Sequence, residues 1–91
     1  MTNRKKAEAI FEAMKKYADY RVCVSVHNKE PLPDVNPCGE YYCHGVNAHH
    51  VFVSNRPFFS YGGFWCEPLE EVTGCKLTKY TDLVEDEIRV F

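Results

Sequence analysis

Apolar side chains recur with helical spacing in one stretch of this 91-residue chain, and that stretch lies at the N-terminus. Ala7, Ile10, Met14 and Tyr17 follow the i, i+3, i+4, i+7 pattern that lines one face of an α-helix. The spacing predicts an amphipathic helix over residues 3–19. Because one helix has only one apolar stripe to bury, the rest of the core is expected to come from strands.

Strict alternation follows in residues 21–27, where Val22, Val24 and Val26 share one face of a predicted strand that should receive the helix. Further strands are predicted over residues 41–46, 49–55, 75–80 and 87–91, and the proline-containing stretch 29–39 is predicted to be a loop. Gly62 and Gly63 predict a tight hairpin between residues 58–61 and 64–67, and residues 67–74 predict a short second helix. The prediction is a single α+β domain over residues 1–91: an N-terminal amphipathic helix packed on a mostly antiparallel sheet of four to six strands, with a short second helix.

Aromatic residues are dense between Tyr41 and Trp65 and alternate there with cysteines, histidines and glycines. One helix covers one face of a sheet, so several of these rings should remain on the opposite face, where the proline-containing loop and the short helix either wrap them or leave them exposed. Exposed aromatic rings with a nearby arginine are typical of protein contact surfaces. The predicted binding residues in this region are Tyr41, Arg56, Tyr61, Phe64 and Trp65.

Charge is distributed unevenly although the net charge is only −2, with basic residues concentrated in residues 1–21 and acidic residues in residues 67–91. The acidic residues Glu85, Asp86 and Glu87 are a second predicted binding region, which could imitate a phosphate backbone toward a basic partner. Nucleic acid itself is disfavoured as a ligand, because Lys29 and Arg56 are the only basic residues between Val22 and Cys66.

Cysteine and histidine residues supply the alternative interpretation, a zinc-stabilised binding domain. Thiolates and imidazoles are preferred zinc ligands, and the set would comprise Cys38, Cys43, Cys66 and His49, with His50 in place of His49 as a variant. The spacing lacks the two close pairs typical of structural zinc sites, so buried free thiols without metal or other cofactor are the favoured interpretation.

Catalysis is a third possibility, since a small enzyme could use a cysteine such as Cys23 with His27 as its base. Four positions along one strand span about 13 Å, which is too far for a dyad without a partner strand. We therefore expect a protein that is not an enzyme.

The cellular location of the protein is predicted from two features that the sequence lacks. It has no apolar run long enough to span a membrane, and no apolar segment follows the polar first residues. The odd number of cysteines agrees with reduced thiols. A cytoplasmic protein without membrane contact is the expectation.

Function is predicted to be protein binding by a small inhibitor or adaptor module, which acts through an aromatic-rich sheet and hairpin surface, through the acidic C-terminal region, or through both. A phage or mobile-element inhibitor of a host nucleic-acid enzyme is an example of this class. The expected partner is another protein or a second copy of the chain.

Overall fold

The computed structural model describes residues 1–27, 38–81 and 84–91, with the side chains of residues 38, 80, 81, 84 and 85 outside the description. These residues form one helix, α1 (Asn3–Lys16), one 3-10 turn (Leu69–Glu71) and six strands. The strands are β1 (Arg21–His27), β2 (Cys38–Val46), β3 (His50–Ser54), β4 (Trp65–Pro68), β5 (Val72–Thr81) and β6 (Val84–Arg89). The predicted α+β class, with a helix on an antiparallel sheet, is confirmed.

Helix α1 begins at a capped N-terminus and ends three residues earlier than predicted. The Thr2 hydroxyl accepts a hydrogen bond from the backbone N–H of Lys5, which satisfies one of the free donors of the first turn. At the other end Tyr17 leaves helical dihedral angles, and a turn between Tyr17 and Tyr20 redirects the chain into β1. Ile10 and Ala13 form the buried part of the helix.

The sheet has the strand order β4-β3-β2-β1-β5-β6, and every neighbouring pair is antiparallel. Strand β1 lies near the centre, and its Val22, Val24 and Val26 are buried in one cluster with Ile10 of α1. The prediction that the valine face of β1 receives the helix is therefore confirmed. The face that α1 covers is called the core face below, and the opposite face the open face.

Register assigns the other strands to the two faces, because directly opposed residues in an antiparallel pair share a face. Tyr41 lies opposite Val24, Cys43 opposite Val53, and Trp65 opposite Val53, so all of these belong to the core face. A bulge in β2 between Cys43 and Gly45 adds His44 as an extra residue.

The predicted hairpin across Gly62 and Gly63 is wrong in its strand pairing. A turn does form there, with the N–H of Gly63 donating to the carbonyl of Ser60, but residues 58–61 are not a strand. Residues 65–68 pair instead with β3. That pairing places Trp65 and Glu67 beside Val53 and Val51 in the core, and this burial outweighs the local preference of the turn.

The predicted second helix over residues 67–74 is limited to the 3-10 turn Leu69–Glu71, between the end of β4 and the start of β5. Leu69 is fully buried there, and its carbonyl accepts a hydrogen bond from Lys6 of α1. The predicted loop over residues 29–39 falls largely outside the described residues, and β2 already begins at Cys38. No helix in the described part of the chain is long and apolar enough to cross a bilayer.

Candidate functional site

A cluster of aromatic side chains lies on the open face at the β2-β3-β4 side of the sheet. The Phe59 ring is at its centre, with its centroid 5.1 Å from Phe64, 5.2 Å from Tyr61 and 5.9 Å from His44. Phe52 of β3 contacts Phe64 at 6.3 Å and connects the cluster to the sheet. These five residues, His44, Phe52, Phe59, Tyr61 and Phe64, are called the aromatic patch below.

Much of the aromatic patch is accessible to water. Tyr61 is 92% exposed, Phe59 49% and Phe64 38%. Adjacent large apolar rings in contact with solvent are uncommon outside binding sites, because their burial is worth about 25 cal/mol per Å² of apolar surface. The described residues therefore hold at the surface a set of rings that gain free energy when something covers them.

Local hydrogen bonds fix the chain that carries the patch. His44 Nε2 lies 2.6 Å from Ser54 Oγ, and the Ser54 hydroxyl donates to the carbonyl of Arg56 and accepts from its backbone N–H. Gly62 has φ +81°, a left-handed conformation that favours glycine, and it returns the chain from Tyr61 toward β4. The loop that carries Phe59, Tyr61 and Phe64 is therefore anchored to the sheet at both ends.

Gly45 gives the Phe52 ring its place in the patch. A Cβ atom at position 45 would lie 3.3 Å from Phe52 Cδ2, which is closer than an ordinary contact. Position 45 lies directly opposite Phe52 in the sheet, so a side chain there would compete with the ring for the open face. The bulge at His44 brings about this arrangement by placing a glycine, and not a larger residue, opposite Phe52.

The predicted binding residues fall into two groups in the structure. Tyr61 and Phe64 belong to the aromatic patch, and Arg56 borders the same shallow groove as Tyr61. Tyr41 and Trp65 instead contact each other on the core face, with centroids 5.1 Å apart, and Trp65 Nε1 donates to the buried carboxylate of Glu67. The structure thus brings Arg56, Tyr61 and Phe64 together and separates them from Tyr41 and Trp65.

The acidic residues predicted as a second binding region all belong to β6, at the edge of the sheet farthest from β4. Asp86 and Glu87 are exposed neighbours on the strand, so their side chains project to opposite faces. Glu87 accepts a hydrogen bond from Lys76, which also lies 3.3 Å from Glu40. The hydrogen bond with Glu87 and the nearby Glu40 raise the pKa of Lys76. Glu85 has no described side chain.

The alternative zinc set is not brought together by its described members. Cys43 is buried on the core face, whereas Cys66 is exposed and lies opposite Phe52 on the open face. His49 is exposed in the turn between β2 and β3. Within the residues that the structure describes, no three histidine, cysteine or acidic side chains form a group that could hold a metal ion. The side chain of Cys38 is outside the description, so the zinc alternative stays a prediction.

The buried thiols have the electrostatics of core residues. Desolvation raises the pKa of Cys43 to about 11 and that of Cys75 to about 12. Burial also raises the pKa of Cys23, whose Sγ lies 3.8 Å from the Thr78 hydroxyl. A catalytic or metal-binding cysteine needs the thiolate form, which this environment disfavours.

A groove of about 330 Å³ adjoins the aromatic patch, between the connection from α1 to β1 and the segment that follows β3. Phe59 and His44 belong both to the patch and to the groove. No local sequence pattern indicates this groove, because its walls come from segments far apart in the chain. The other lining residues include Met14, Tyr17, Tyr20, Arg21 and Phe58.

Comparison of the chain with protein-family models, with curated proteins and with solved structures finds no match. The function of the chain is therefore inferred from its own sequence and geometry.

Proposed function

We propose that the chain is a non-enzymatic protein-binding module of the inhibitor or adaptor type, which docks a partner protein through the aromatic patch. The observation that carries this proposal is the exposure of Phe59, Tyr61 and Phe64 as rings in mutual contact on an anchored loop. Aromatic residues dominate the binding energy of protein interfaces, because they bury a large area at a small cost in side-chain entropy.

Two further observations support the proposal. Arg56 lines the same groove as Tyr61, and arginine is among the residues most enriched at energetically important interface positions. The raised pKa values of Cys23, Cys43 and Cys75 keep these thiols neutral, in agreement with a role that is not catalytic.

The acidic residues of β6 take a secondary place in the proposal. Asp86 and Glu87 project to opposite faces, and Glu87 is already paired with Lys76, so they offer a partner no common acidic surface. An inhibitor that imitates nucleic acid, such as a phage or mobile-element protein directed at a host nucleic-acid enzyme, remains one form of the proposal. It requires that neutralising Asp86 and Glu87 weaken partner binding.

Affinity capture with matched variants tests the proposal. The tagged full chain, a Phe59→Ser/Tyr61→Ser variant and a Phe11→Ser control are each incubated with extract of the cells that encode the protein. Phe11 is a suitable control because it is 53% exposed, lies on α1 across the sheet from the patch, and has the Lys15 ammonium 5.4 Å from its ring centroid.

The expected result is a partner that the wild type and the Phe11→Ser control retain equally and the double variant loses by more than about tenfold, since each aromatic anchor contributes about 1–2 kcal/mol or more. Thermal unfolding should show that all three chains are folded. A double variant that captures the same partner as the wild type would contradict the proposal.

A second copy of the chain is the alternative partner for the aromatic patch, since self-complementary patches give symmetric dimers. Sedimentation equilibrium measures this directly. A dimer that is lost in Phe59→Ser/Tyr61→Ser and kept in Phe11→Ser would identify self-association as the function of the patch, whereas a monomer at all concentrations leaves a different protein as the partner.

A further inference from the structure

The groove beside the aromatic patch has positive charge along its rim. Arg21 lines the groove directly. The Lys16 ammonium lies 5.6 Å from the ring centroid of Tyr17, and the Lys79 ammonium 5.5 Å from that of Tyr20. Both tyrosines line the groove, so the ammonium groups of Lys16 and Lys79 lie near it, although Arg21 is the cationic residue that lines it directly.

This positive charge is only partly compensated. Among the described residues that line the groove there is no carboxylate. Lys79 lies opposite Asp86 in the β5-β6 register, which offsets part of its charge. Arg21 and Lys16 form no ion pair within the described part of the chain, and neither Lys16 nor Asp19, in the α1–β1 connection, lines the groove. Arg21 and Lys16 are therefore the cations at or near the groove that no described ion pair neutralises.

Apolar side chains line the interior of the groove. Met14, Val22 and Phe58 are among its walls, and Phe59 continues from it into the aromatic patch. Its volume of about 330 Å³ is at the lower end of the roughly 300–1,000 Å³ typical of ligand pockets, so it suits one anchoring side chain better than an extended ligand.

We infer that the groove binds an apolar anchor residue of the partner that is flanked by acidic residues. This inference rests on the proposed function and adds the chemistry of the partner segment. The anchor side chain fills the space between α1 and residues 57–59, while its acidic neighbours face Arg21 and Lys16. Phe59 then contacts the same partner segment from the patch side.

Single-stranded nucleic acid combines flat rings with negative charge, as an acidic peptide with an aromatic anchor does, but the surroundings of the groove disfavour nucleic acid as the ligand. A nucleic-acid strand that continued from the groove across the open face would approach the exposed carboxylates of Glu40 and Glu87. Stacking proteins surround their rings with basic residues along the whole strand path. An acidic peptide needs positive charge only beside its anchor, which is what the groove provides.

Nuclear magnetic resonance titration of the isotope-labelled full chain tests the inference. The probes are a blocked pentapeptide with a central phenylalanine between glutamate pairs, the same peptide with lysine pairs, and oligothymidylate. The glutamate peptide is expected to shift the backbone resonances of Arg21, His44 and Phe58 in a saturable manner, and its affinity should fall as salt screens the rim charges.

Matched charge-reversal variants distinguish the effect of charge near the groove from the effect of net charge on peptide binding. The Arg21→Glu/Lys16→Glu variant should bind the glutamate peptide about tenfold more weakly, since partly exposed ion pairs are worth about 0.2–1 kcal/mol each and reversal adds repulsion. The Arg89→Glu/Lys5→Glu variant has the same change in net charge at exposed positions that do not line the groove, and it should bind like the wild type. All four positions are exposed, so both variants should fold.

Three results would overturn the inference: no shift of groove resonances at millimolar glutamate peptide, equal binding of the glutamate and lysine peptides, or tighter binding of oligothymidylate at the same residues. None of these results bears on the proposed function itself. That function is tested separately, by partner capture with the Phe59→Ser/Tyr61→Ser variant. A partner that depends on the patch but tolerates Arg21→Glu/Lys16→Glu would leave the protein-binding role intact and reject the acidic anchor.

Discussion

Alkaline pH should destabilise the fold because two thiols are buried in their neutral form. Metal-binding cysteines would change the stability with pH in the opposite direction, so the sign of the effect distinguishes the two roles. Cys43 is 5% and Cys75 3% exposed, and desolvation raises their pKa values from 9.0 to about 11 and about 12. The unfolded chain releases these protons near pH 9, while the folded chain retains them. The stabilisation is therefore complete below about pH 9 and decreases as pH rises toward the folded-state pKa values.

The size of the effect follows from proton linkage. At pH 10, one unit above the ordinary thiol pKa, each thiol lowers the free energy of unfolding by ~1.4 kcal/mol, or ~3 kcal/mol for both. Zinc-bound thiolates would have the opposite dependence, because metal binding releases the protons and stability would rise as pH increases from acid toward neutral.

Urea unfolding followed by circular dichroism between pH 7 and 10, in reductant and with or without chelator, measures this dependence. The control is Cys43→Ala/Cys75→Ala, which retains every tyrosine and lysine that also titrates in this range. The wild type should lose ~3 kcal/mol more than the control between pH 7 and 10. Parallel pH profiles for the two chains, or chelator-induced unfolding of the wild type at pH 7, would show that Cys43 and Cys75 are not buried neutral thiols.

Three substitutions test the packing and backbone of the fold. Leu77→Ala removes a fully buried side chain and should lower the free energy of unfolding by about 2–5 kcal/mol in urea titrations, more than Ile88→Ala, whose side chain lies opposite Leu77 but is partly exposed. Gly62→Ala should lower the free energy of unfolding by about 1–2 kcal/mol in the same assay, because Gly62 has a positive φ. Gly63→Ala should lower it less, because Gly63 has no positive φ and a Cβ there would make an ordinary contact at 3.7 Å. Equal losses in the two variants would contradict the turn geometry. Thr2→Ala should cost about 0.5–2 kcal/mol by removing the α1 cap, and a Thr2→Asn variant should recover most of it.

The helix and the central strand could be predicted from the sequence because their signals are local. Ile10 and Ala13 lie on one stripe with helical spacing, and Val22, Val24 and Val26 alternate on one face. The end of α1 was placed three residues too late, because Tyr17 and Ala18 continue the apolar pattern while the chain must already turn toward β1.

Strand pairing could not be predicted, because it depends on contacts between distant segments. The Gly62-Gly63 turn indicated a local hairpin, but residues 65–68 gain more burial beside β3. The face of each ring in β2 depends on the register with β1 and on the bulge at His44, and neither has a local signature. As a result, Tyr41 and Trp65 were grouped with exposed rings although they lie on the core face.

Composition therefore predicts part of the candidate site, and the rest depends on tertiary structure. Tyr61 and Phe64 were predicted because aromatic density exceeded what one helix could cover, and Arg56 because arginine beside aromatic residues is typical of contact surfaces. The groove with Arg21 and Lys16 was missed, since its basic residues belong to segments of the chain remote from Phe58 and Phe59.

Site-specific photocrosslinking tests most directly whether the aromatic patch is a docking surface. A photoreactive phenylalanine analogue replaces Tyr61 in one chain and Phe11 in another, and both are irradiated in the cells that encode the protein. Both positions are exposed, so each probe is accessible to a protein that docks on its own side of the sheet. We expect a discrete protein adduct at position 61 and none at position 11. Adducts at position 11 alone, or no adduct at either position, would contradict this expectation.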